Sequence, residues 1–406
     1  MNNLESKIIG PLVPLGMVGN LTKYGKKAQD INIHTCKSYS YRAINSQAPS
    51  TMNTANRVID TFPRTIKGLL RHLYLEFNLT NSGTASLGLN PYYFLINYIV
   101  IKIGGDVKCQ WFGEDLYNAN NLKKTDYEVT GEQSVSNISE ATYGAYTASL
   151  ASGATTFARI DLTSMIESDN GILIDGFISD ITIEINTRQA NQWCTAATAS
   201  TCNLSTSGWA LEYGFELLGD EEYQLRYDAH RTQVFEYKFC DVIQNIQAFP
   251  SISSNIQYNY NLRAYNAKVH AFLFTLRPQG ALNENLFSYY PLSLIYLRDN
   301  DNHIIFDYET PGQWVQQNSL NDFPLNFYLS RVNIYPWVFS RAILDVLESG
   351  ISVGSLYFTG QSESYYFAAS GTLSNVNTEM VISGWVESKV TVTQGVASIQ
   401  RITGYF

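Results

Sequence analysis

Alternating apolar and polar residues mark several stretches of this chain as half-buried β-strands. The clearest stretch spans residues 69–79, whose apolar positions are Leu73, Leu75, Phe77 and Leu79. Shorter alternations have their apolar positions at Ile181, Ile183 and Ile185, and at Val386, Val390 and Val392. Successive side chains of a strand point to opposite faces of a sheet, so this period of two predicts strands with one face in a core.

Two blocks of the chain share one pattern. Residues 90–111 and 287–308 each start close to a Tyr-Tyr pair, continue as an apolar run, pass a polar turn and end on a second apolar run. The turns are residues 104–106 and 298–302, which are rich in Gly, Asn and Asp. Such residues accept the backbone conformations of tight turns, so each block is predicted to be a β-hairpin. The repetition predicts two β-domains built alike.

The remaining pattern favours an all-β fold. Long loops poor in charge are predicted at residues 134–156 and 189–208, and a helix is predicted only at residues 337–349. Many short strands with almost no helix are typical of β-sandwiches and jelly rolls. Residues 1–58 lack sustained periodicity and are predicted to be an arm. The first domain is predicted to span residues 59–232 and the second residues 233–406, with the boundary after an acidic turn that begins at Gly219.

Composition and charge add two observations. Charged residues make up only 16% of the chain, against about 25% in typical proteins. This suits a surface covered by copies of the protein, and it equally suits a sugar-binding β-protein. Residues 1–75 hold ten Lys or Arg and three Asp or Glu, although the whole chain has a net charge of −9. A basic arm on an acidic body either is a solvated tail or meets an anionic surface such as lipid headgroups or nucleic acid. Its candidate contact residues are Lys7, Lys23, Lys26 and Lys27.

Candidate chemistry is sparse. The residues near the N-terminus contain two prolines and no continuous apolar core, so no secretion signal is recognised and synthesis in a cytosol is expected. No spacing of His and Cys indicates zinc, and no Gly-rich phosphate loop occurs. Glu114-Asp115 and residues 220–222 supply carboxylates that a glycosidase could use, but they are interpreted as solvated acidic turns. We therefore expect no catalytic, cofactor or metal site.

Residues 65–120 resemble the opening of the first jelly roll in the major capsid proteins of tailless, membrane-containing icosahedral bacteriophages, a double jelly-roll lineage that includes the adenovirus hexon. The order of elements carries the resemblance: Ile66-Lys67-Gly68 before a strand, an Asn-rich turn at residues 78–82, a hairpin, and a polar loop. Residues 234–250 are similar to the first strand of a second jelly roll, and residues 365–388 to its closing strands. The resemblance covers about residues 57–406.

This resemblance implies two consecutive eight-stranded jelly rolls and a homotrimer whose six rolls form a pseudo-hexagonal capsomer of an icosahedral virion shell. It also implies neighbouring capsomers and minor capsid or penton proteins as partners, an arm that points towards an internal lipid membrane, and no sequence-specific nucleic-acid binding. Two other classes stay open. A phage spike would usually show fibrous repeats, which the sequence lacks. A carbohydrate-active β-sandwich enzyme would need a secretion signal and a paired carboxylate site.

Overall fold

The structure of the protein is a computed structural model. It describes residues 37–44, 57–84, 87–89, 91–123, 149–150, 152–166, 171–188, 203–249, 256–265, 267–279, 289–290, 292, 294–298, 304–308, 333–338, 356–357, 366–371 and 377–401. Most of these residues lie in antiparallel β-sheets, which follow one another along the chain in two similar groups.

The first group contains ten strands. These are β1 Lys37–Ile44, β2 Arg57–Thr61, β3 Gly68–Asn81, β4 Leu87–Leu89, β5 Ile96–Ile103, β6 Asp106–Phe112, β7 Ser149–Leu150, β8 Thr155–Asp161, β9 Ile181–Thr187 and β10 Leu204–Leu217. One sheet has the order β1-β10-β3-β8 and the facing sheet the order β2-β9-β5-β6, while β4 and β7 pair separately. The alternation predicted for residues 69–79 is confirmed in β3, because its four apolar positions are fully buried between the sheets.

The second group contains another ten strands. These are β11 Val234–Phe249, β12 Ile256–Asn261, β13 Lys268–Pro278, β14 Leu294–Arg298, β15 Ile304–Tyr308, β16 Tyr335–Val338, β17 Leu356–Tyr357, β18 Tyr366–Gly371, β19 Thr378–Thr393 and β20 Val396–Arg401. The two sheets have the orders β11-β19-β13-β16 and β12-β18-β14-β15. Strands β17 and β20 add to the first of these sheets.

Both groups have the same topology. When β4, β7, β17 and β20 are set aside, each group has eight principal strands. If these are numbered 1 to 8 in chain order within each group, the two sheets of each group have the strand orders 1-8-3-6 and 2-7-4-5. This arrangement of eight strands in two facing sheets is the jelly roll. The chain is therefore all-β with two consecutive eight-stranded jelly rolls, as the sequence predicted. We call β1–β10 the first roll and β11–β20 the second roll.

Both predicted hairpins are present at equivalent places. Strands β5 and β6 pair antiparallel, and the turn between them has positive φ at Gly104 (62°) and Gly105 (93°). Glycine adopts positive φ angles more readily than any residue with a Cβ atom, which explains the Gly-Gly pair. Strands β14 and β15 pair in the same way, with Ile295 opposite Tyr308. The first Tyr-Tyr pair does not lie in a strand, because it falls in a short helix, α1 Pro91–Leu95.

Two further helices correct the sequence analysis. Helix α2 is Gly113–Lys123 and helix α3 is Asp220–Thr232, so both acidic motifs start helices and neither is a turn. Acidic side chains in a first helical turn are stabilised by the helix dipole. The start of the helix predicted at residues 337–349 was wrong, because Trp337 lies in β16 opposite Phe272. Residues 339–349 lie outside the described part of the chain. Short 3-10 helices are Thr163–Met165, Ile174–Gly176 and Leu262–Tyr265.

Strands also replace parts of the predicted arm and loops. Strand β1 pairs with β10, and β2, which begins at Arg57, pairs with β9, so parts of residues 1–58 belong to the first roll. Both are edge strands with mixed polar sequences, which hides the period of two. The predicted loop at residues 189–208 contains the start of β10, and the one at residues 134–156 contains β7 and the start of β8.

Each roll has two distinct ends. The chain reverses direction from each principal strand to the next, so connections alternate between the ends. At the turn end, Phe62 N donates to Ile181 O (2.9 Å) and Leu218 N to Lys67 O (3.1 Å). At the loop end, Ser82 N donates to Asn203 O (2.7 Å). The long connections of residues 113–154, 188–203 and 309–334 all begin and finish at the loop end. Helix α3 and the start of β1 lie at the turn end.

Candidate functional site between the two jelly rolls

Strand β6 and helix α2 of the first roll pack against the outer face of the sheet β11-β19-β13-β16 of the second roll. The fully buried ring of Trp111, on β6, lies 5.5 Å from that of Trp385, on β19, measured between centroids. Trp111 Nε1 donates a 2.7 Å hydrogen bond to the carbonyl oxygen of Cys240. The amide of Gln110 donates to Asp241 Oδ1 at 2.7 Å. Hydrogen bonds and aromatic packing therefore fix the position of one roll on the other.

A buried group of charges lies beside the two tryptophans. Arg277, on β13, donates from Nε to Glu379 Oε1 at 2.6 Å, within its own sheet. Its Nη1 forms an ion pair with Glu114 of helix α2, which belongs to the other roll. The hydroxyl of Tyr289 lies 3.0 Å from both Glu114 Oε1 and Asn118 Oδ1. One arginine thus joins the two rolls through two carboxylates.

Asp115, the neighbour of Glu114 on α2, is completely buried at the same interface. Gln244 of β11 lies with its Nε2 atom 3.5 Å from Asp115 Oδ2 and 3.4 Å from Glu114 Oε2. Burial, reinforced by the negative charge of Glu114, raises the pKa of Asp115 to about 8. At neutral pH this side chain is therefore mostly protonated, which avoids an uncompensated negative charge beside the ion pair of Glu114.

Burial also governs the other titratable groups of the site. It lowers the pKa of the Arg277 guanidinium, but the charges of Glu114 and Glu379 outweigh it, so that the pKa is raised. Arg188, which packs next to helix α1, has its pKa lowered to about 10, chiefly by burial. Burial and the nearby Glu114 raise the pKa of Tyr289 well above its ordinary value. The positive charge of Arg277 is thus maintained inside the protein interior.

The geometry corrects the interpretation of Glu114 and Asp115 as a solvated acidic turn. Both side chains lie on a helix and are covered by the second roll. Glu114 is held in an ion pair, Asp115 is completely buried beside it, and neither reaches a surface where a sugar could bind. They are not the acid and nucleophile of a glycosidase. Their chemical role is to hold two domains together with directional, charge-assisted bonds.

The residues that the sequence proposed for surface contact lie elsewhere. Lys7, Lys23, Lys26 and Lys27 lie outside the described residues, so the candidate site does not include them. Within the described ranges, no group of three His, Cys, Asp or Glu residues could hold a metal ion. No helix in that part of the chain is long and apolar enough to cross a membrane.

Sequence reasoning missed most of the interface. It singled out Glu114 and Asp115 for their charge, and Tyr289 for its place in a Tyr-Tyr pair. It did not find Arg277 or Trp385. In the structure, strand β19 marks the interface. Its residues Glu379, Ser383 and Trp385 share one face and are buried, although that face is opposite the core of their own roll. A strand buried on both faces indicates that a second layer covers it.

Comparisons with known proteins support the fold. The chain matches no protein-family model and no curated protein sequence. Among solved structures it is similar to the PBCV-1 virus capsid, with a TM-score of 0.64, 12% sequence identity, and coverage of 93% of this chain and 99% of that one. The Faustovirus major capsid protein gives a TM-score of 0.58 at 8% identity, covering 97% and 98% of the two chains. The mavirus major capsid protein gives 0.51 at 9% identity, covering 93% and 94%.

These three matches span nearly the whole of both chains in each comparison, so they compare two rolls with two rolls. At such low identity they show a common fold. The double jelly-roll fold expected from the order of elements is therefore confirmed. The chain has the double jelly-roll fold of viral major capsid proteins.

Proposed function

We propose that this chain is a viral major capsid protein, which assembles into homotrimeric, pseudo-hexagonal capsomers of an icosahedral shell. The observation that carries the proposal is the pair of jelly rolls with one topology, fixed side by side through a buried interface. Two of the proteins with a similar fold are viral major capsid proteins, and the similarity covers almost the full length of each. The role proposed here requires no catalysis, and the protein would reside in the virion shell.

The contact between the rolls supports a closed ring. The first roll contributes β6 and α2, whereas the second contributes the outer face of the sheet that contains β19. Two domains with the same topology thus meet through different surfaces, which is a head-to-tail contact. Repetition of such a contact generates a ring when the rotation closes. Three copies would place six similar rolls around one axis.

The two ends of the rolls suggest how the protein stands in the shell. The long connections begin and finish at strand ends of the loop end, and residues 1–36 precede the start of β1, which lies at the turn end. We propose that the loop end faces outward and that the turn end and the arm face the particle interior. We also propose α3 as the link between the domains, with the first roll ending before residue 233.

The arm is the second part of the proposal. Lys7, Lys23, Lys26 and Lys27 accompany an apolar segment at residues 8–21 that contains two prolines. Such a segment suits the interface of a membrane, where apolar burial and basic side chains give modest attachment to anionic lipid. We propose that it touches the leaflet of an internal membrane. Minor capsid or penton proteins would complete the shell.

Mass photometry and negative-stain microscopy of the purified protein test the assembly. We expect a particle of three times 45.7 kDa that appears as a compact hexagonal ring in end view. A stable monomer at micromolar concentration would contradict the proposal. An elongated trimer with a fibrous shaft would favour a spike protein instead.

Flotation with liposomes tests the arm separately. We expect the parent protein to float with anionic vesicles at low salt and to be released at high salt, because salt screens the attraction. Substitution of Lys23, Lys26 and Lys27 by Glu should abolish flotation, whereas substitution of the same residues by Arg should preserve it. Equal flotation of the Glu variant, or no flotation of the parent, would overturn the membrane contact without affecting the assembly result.

A further inference from the structure

The imidazole of His230 lies where the two rolls meet at the turn end. His230 belongs to the last turn of helix α3, which lies between the rolls in the chain, and it is only 1% exposed. Its ring stacks on the ring of Phe235 of the second roll, with 5.0 Å between centroids. It also lies 5.3 Å from the ring of Phe177 of the first roll. One buried side chain therefore contacts both rolls.

The backbone of the first roll fits closely around this ring. A Cβ atom at Gly176 would lie 2.7 Å from two ring atoms of His230, so a larger residue there would displace the imidazole. Two residues further on, the amide of Ile178 donates a 2.8 Å hydrogen bond to the carbonyl oxygen of Gly395, in the turn between β19 and β20. Residues 176–178 thus hold the first roll against both α3 and the second roll.

The two ring nitrogens of His230 differ in their surroundings. Nε2 lies 3.0 Å from the hydroxyl of Tyr237, on β11. Nδ1 is buried and has no hydrogen-bond partner within the described part of the chain. A protonated imidazole carries a hydrogen on both nitrogens, so uptake of a proton would leave an N–H group at Nδ1 buried without an acceptor. Such a group is costly in a protein interior.

The carboxylates on the neighbouring elements have other partners. Asp175, on the 3-10 helix Ile174–Gly176, is bonded to the hydroxyl of Tyr223. On β11, Glu236 alternates with the two aromatic residues that contact His230, and it pairs with Lys389 at 2.5 Å. A positive charge on His230 would therefore have little to balance it.

Burial lowers the pKa of His230 below its ordinary value of 6.5. The positive charge of Arg231, the next residue of α3, acts in the same direction. Backbone groups of Gly176 and of His230 itself oppose the effect without cancelling it. The neutral ring is thus the form that the folded protein favours.

We propose that His230 is an acid-sensitive latch between the rolls, and that its protonation opens the contact of residues 176–178 with α3 and the second roll. The bonds of Trp111 and Arg277 do not involve His230. Acid should therefore loosen the turn end while the rolls stay joined at the other contact. The latch acts within one chain, so it is independent of the proposed homotrimer.

Thermal unfolding between about pH 5 and pH 8 tests the latch. The variant is His230→Phe, which keeps an aromatic ring but cannot take up a proton, and the matched control is His72→Phe at an exposed position of β3. A group whose pKa is lowered in the fold raises the unfolding equilibrium constant by up to about tenfold per pH unit as the pH falls below its ordinary pKa. The melting temperature of His230→Phe should therefore rise relative to the parent below about pH 6.5. The control should show no such rise. A difference between His230→Phe and the parent that is equal at every pH would overturn the proposal.

A second measurement uses the parent protein alone. Deuterium exchange at the C2 atom of each imidazole, followed by mass spectrometry, reports the titration of individual histidines, and His230 should titrate below about pH 6.5. Amide hydrogen exchange, corrected for its intrinsic dependence on pH, should increase at residues 174–178 and 220–232 in acid in the parent but not in His230→Phe. Titration of His230 at or above its ordinary pKa, or equal amide protection in the parent at neutral and acid pH, would also overturn the latch.

Discussion

Replacement of Arg277 by methionine is the sharpest test of what holds the two rolls together. Methionine fills a similar volume but carries no charge, so Glu114 and Glu379 would remain buried with no cation between them. The matched control is Arg226→Met on helix α3. Arg226 also pairs with a glutamate, Glu222, at 2.8 Å, but 43% of its side chain is exposed.

The expected magnitudes differ widely. Removal of one partner from a buried ion pair costs about 3–5 kcal/mol, because an unpaired charge stays in the interior. An exposed pair four residues apart on a helix contributes about 0.3–0.5 kcal/mol. For a cooperatively unfolding unit of about 150–250 residues, each kcal/mol lost from the free energy of unfolding lowers the melting temperature by about 2–4 °C. Arg277→Met should thus lower it by roughly 6–20 °C, and Arg226→Met by no more than about 2 °C.

Differential scanning calorimetry of both variants and the parent, at one protein concentration, measures this difference. Addition of Glu114→Gln and Glu379→Gln to Arg277→Met should recover part of the loss, because both stranded charges disappear. Equal melting temperatures for Arg277→Met and Arg226→Met would refute the reasoning. So would a triple variant that is less stable than Arg277→Met alone.

Three further predictions concern the same interface. The pKa of Asp115 is raised to about 8 in the fold, so the free energy of unfolding of the parent falls by about 1.4 kcal/mol per pH unit as the pH rises from about 4 to 8. The melting temperature of Asp115→Asn should therefore rise relative to that of the parent across this pH range and show no further relative rise above it. A difference in melting temperature that does not change with pH would contradict this. Trp111→Phe removes the hydrogen bond to the carbonyl oxygen of Cys240 and should lower the free energy of unfolding by about 1–3 kcal/mol, measured by chemical denaturation. The Nε1 atom of Trp209 has no described partner, so Trp209→Phe should lower the free energy of unfolding by less in that assay. Gly113→Ala would place a methyl group in a clash with the backbone carbonyl oxygens of Tyr93 and Ile96, so we expect little soluble protein on expression. A normal yield would show that α2 can shift.

The sequence was sufficient for much of the fold. Leu73, Leu75 and Phe77 alternate with polar residues because one face of β3 meets the core and the other does not, and this local pattern can be read directly. The Gly104-Gly105 turn was predictable because glycine accepts positive φ angles more readily than other residues. Edge strands such as β1 were missed, because an edge strand packs on few neighbours and need not alternate.

The site depended on information that the sequence does not display. Glu114 and Asp115 look like residues of a solvated turn because nothing next to them in the chain reveals that Arg277 lies over Glu114, 163 residues away. Trp385 shares a face of β19 with Glu379, and that face points away from the core of its own roll. Its burial is decided only when the second domain is present.

The sequence by itself determined the central strands, the two hairpins and the repetition of one β-domain, because these follow from local periodicity and from backbone angles that few residues accept. The tertiary structure alone decided which face of each sheet is covered, which charges are paired and which pKa values are shifted. Those properties depend on burial and on distances between residues far apart in the chain, since desolvation and charge pairing act through space.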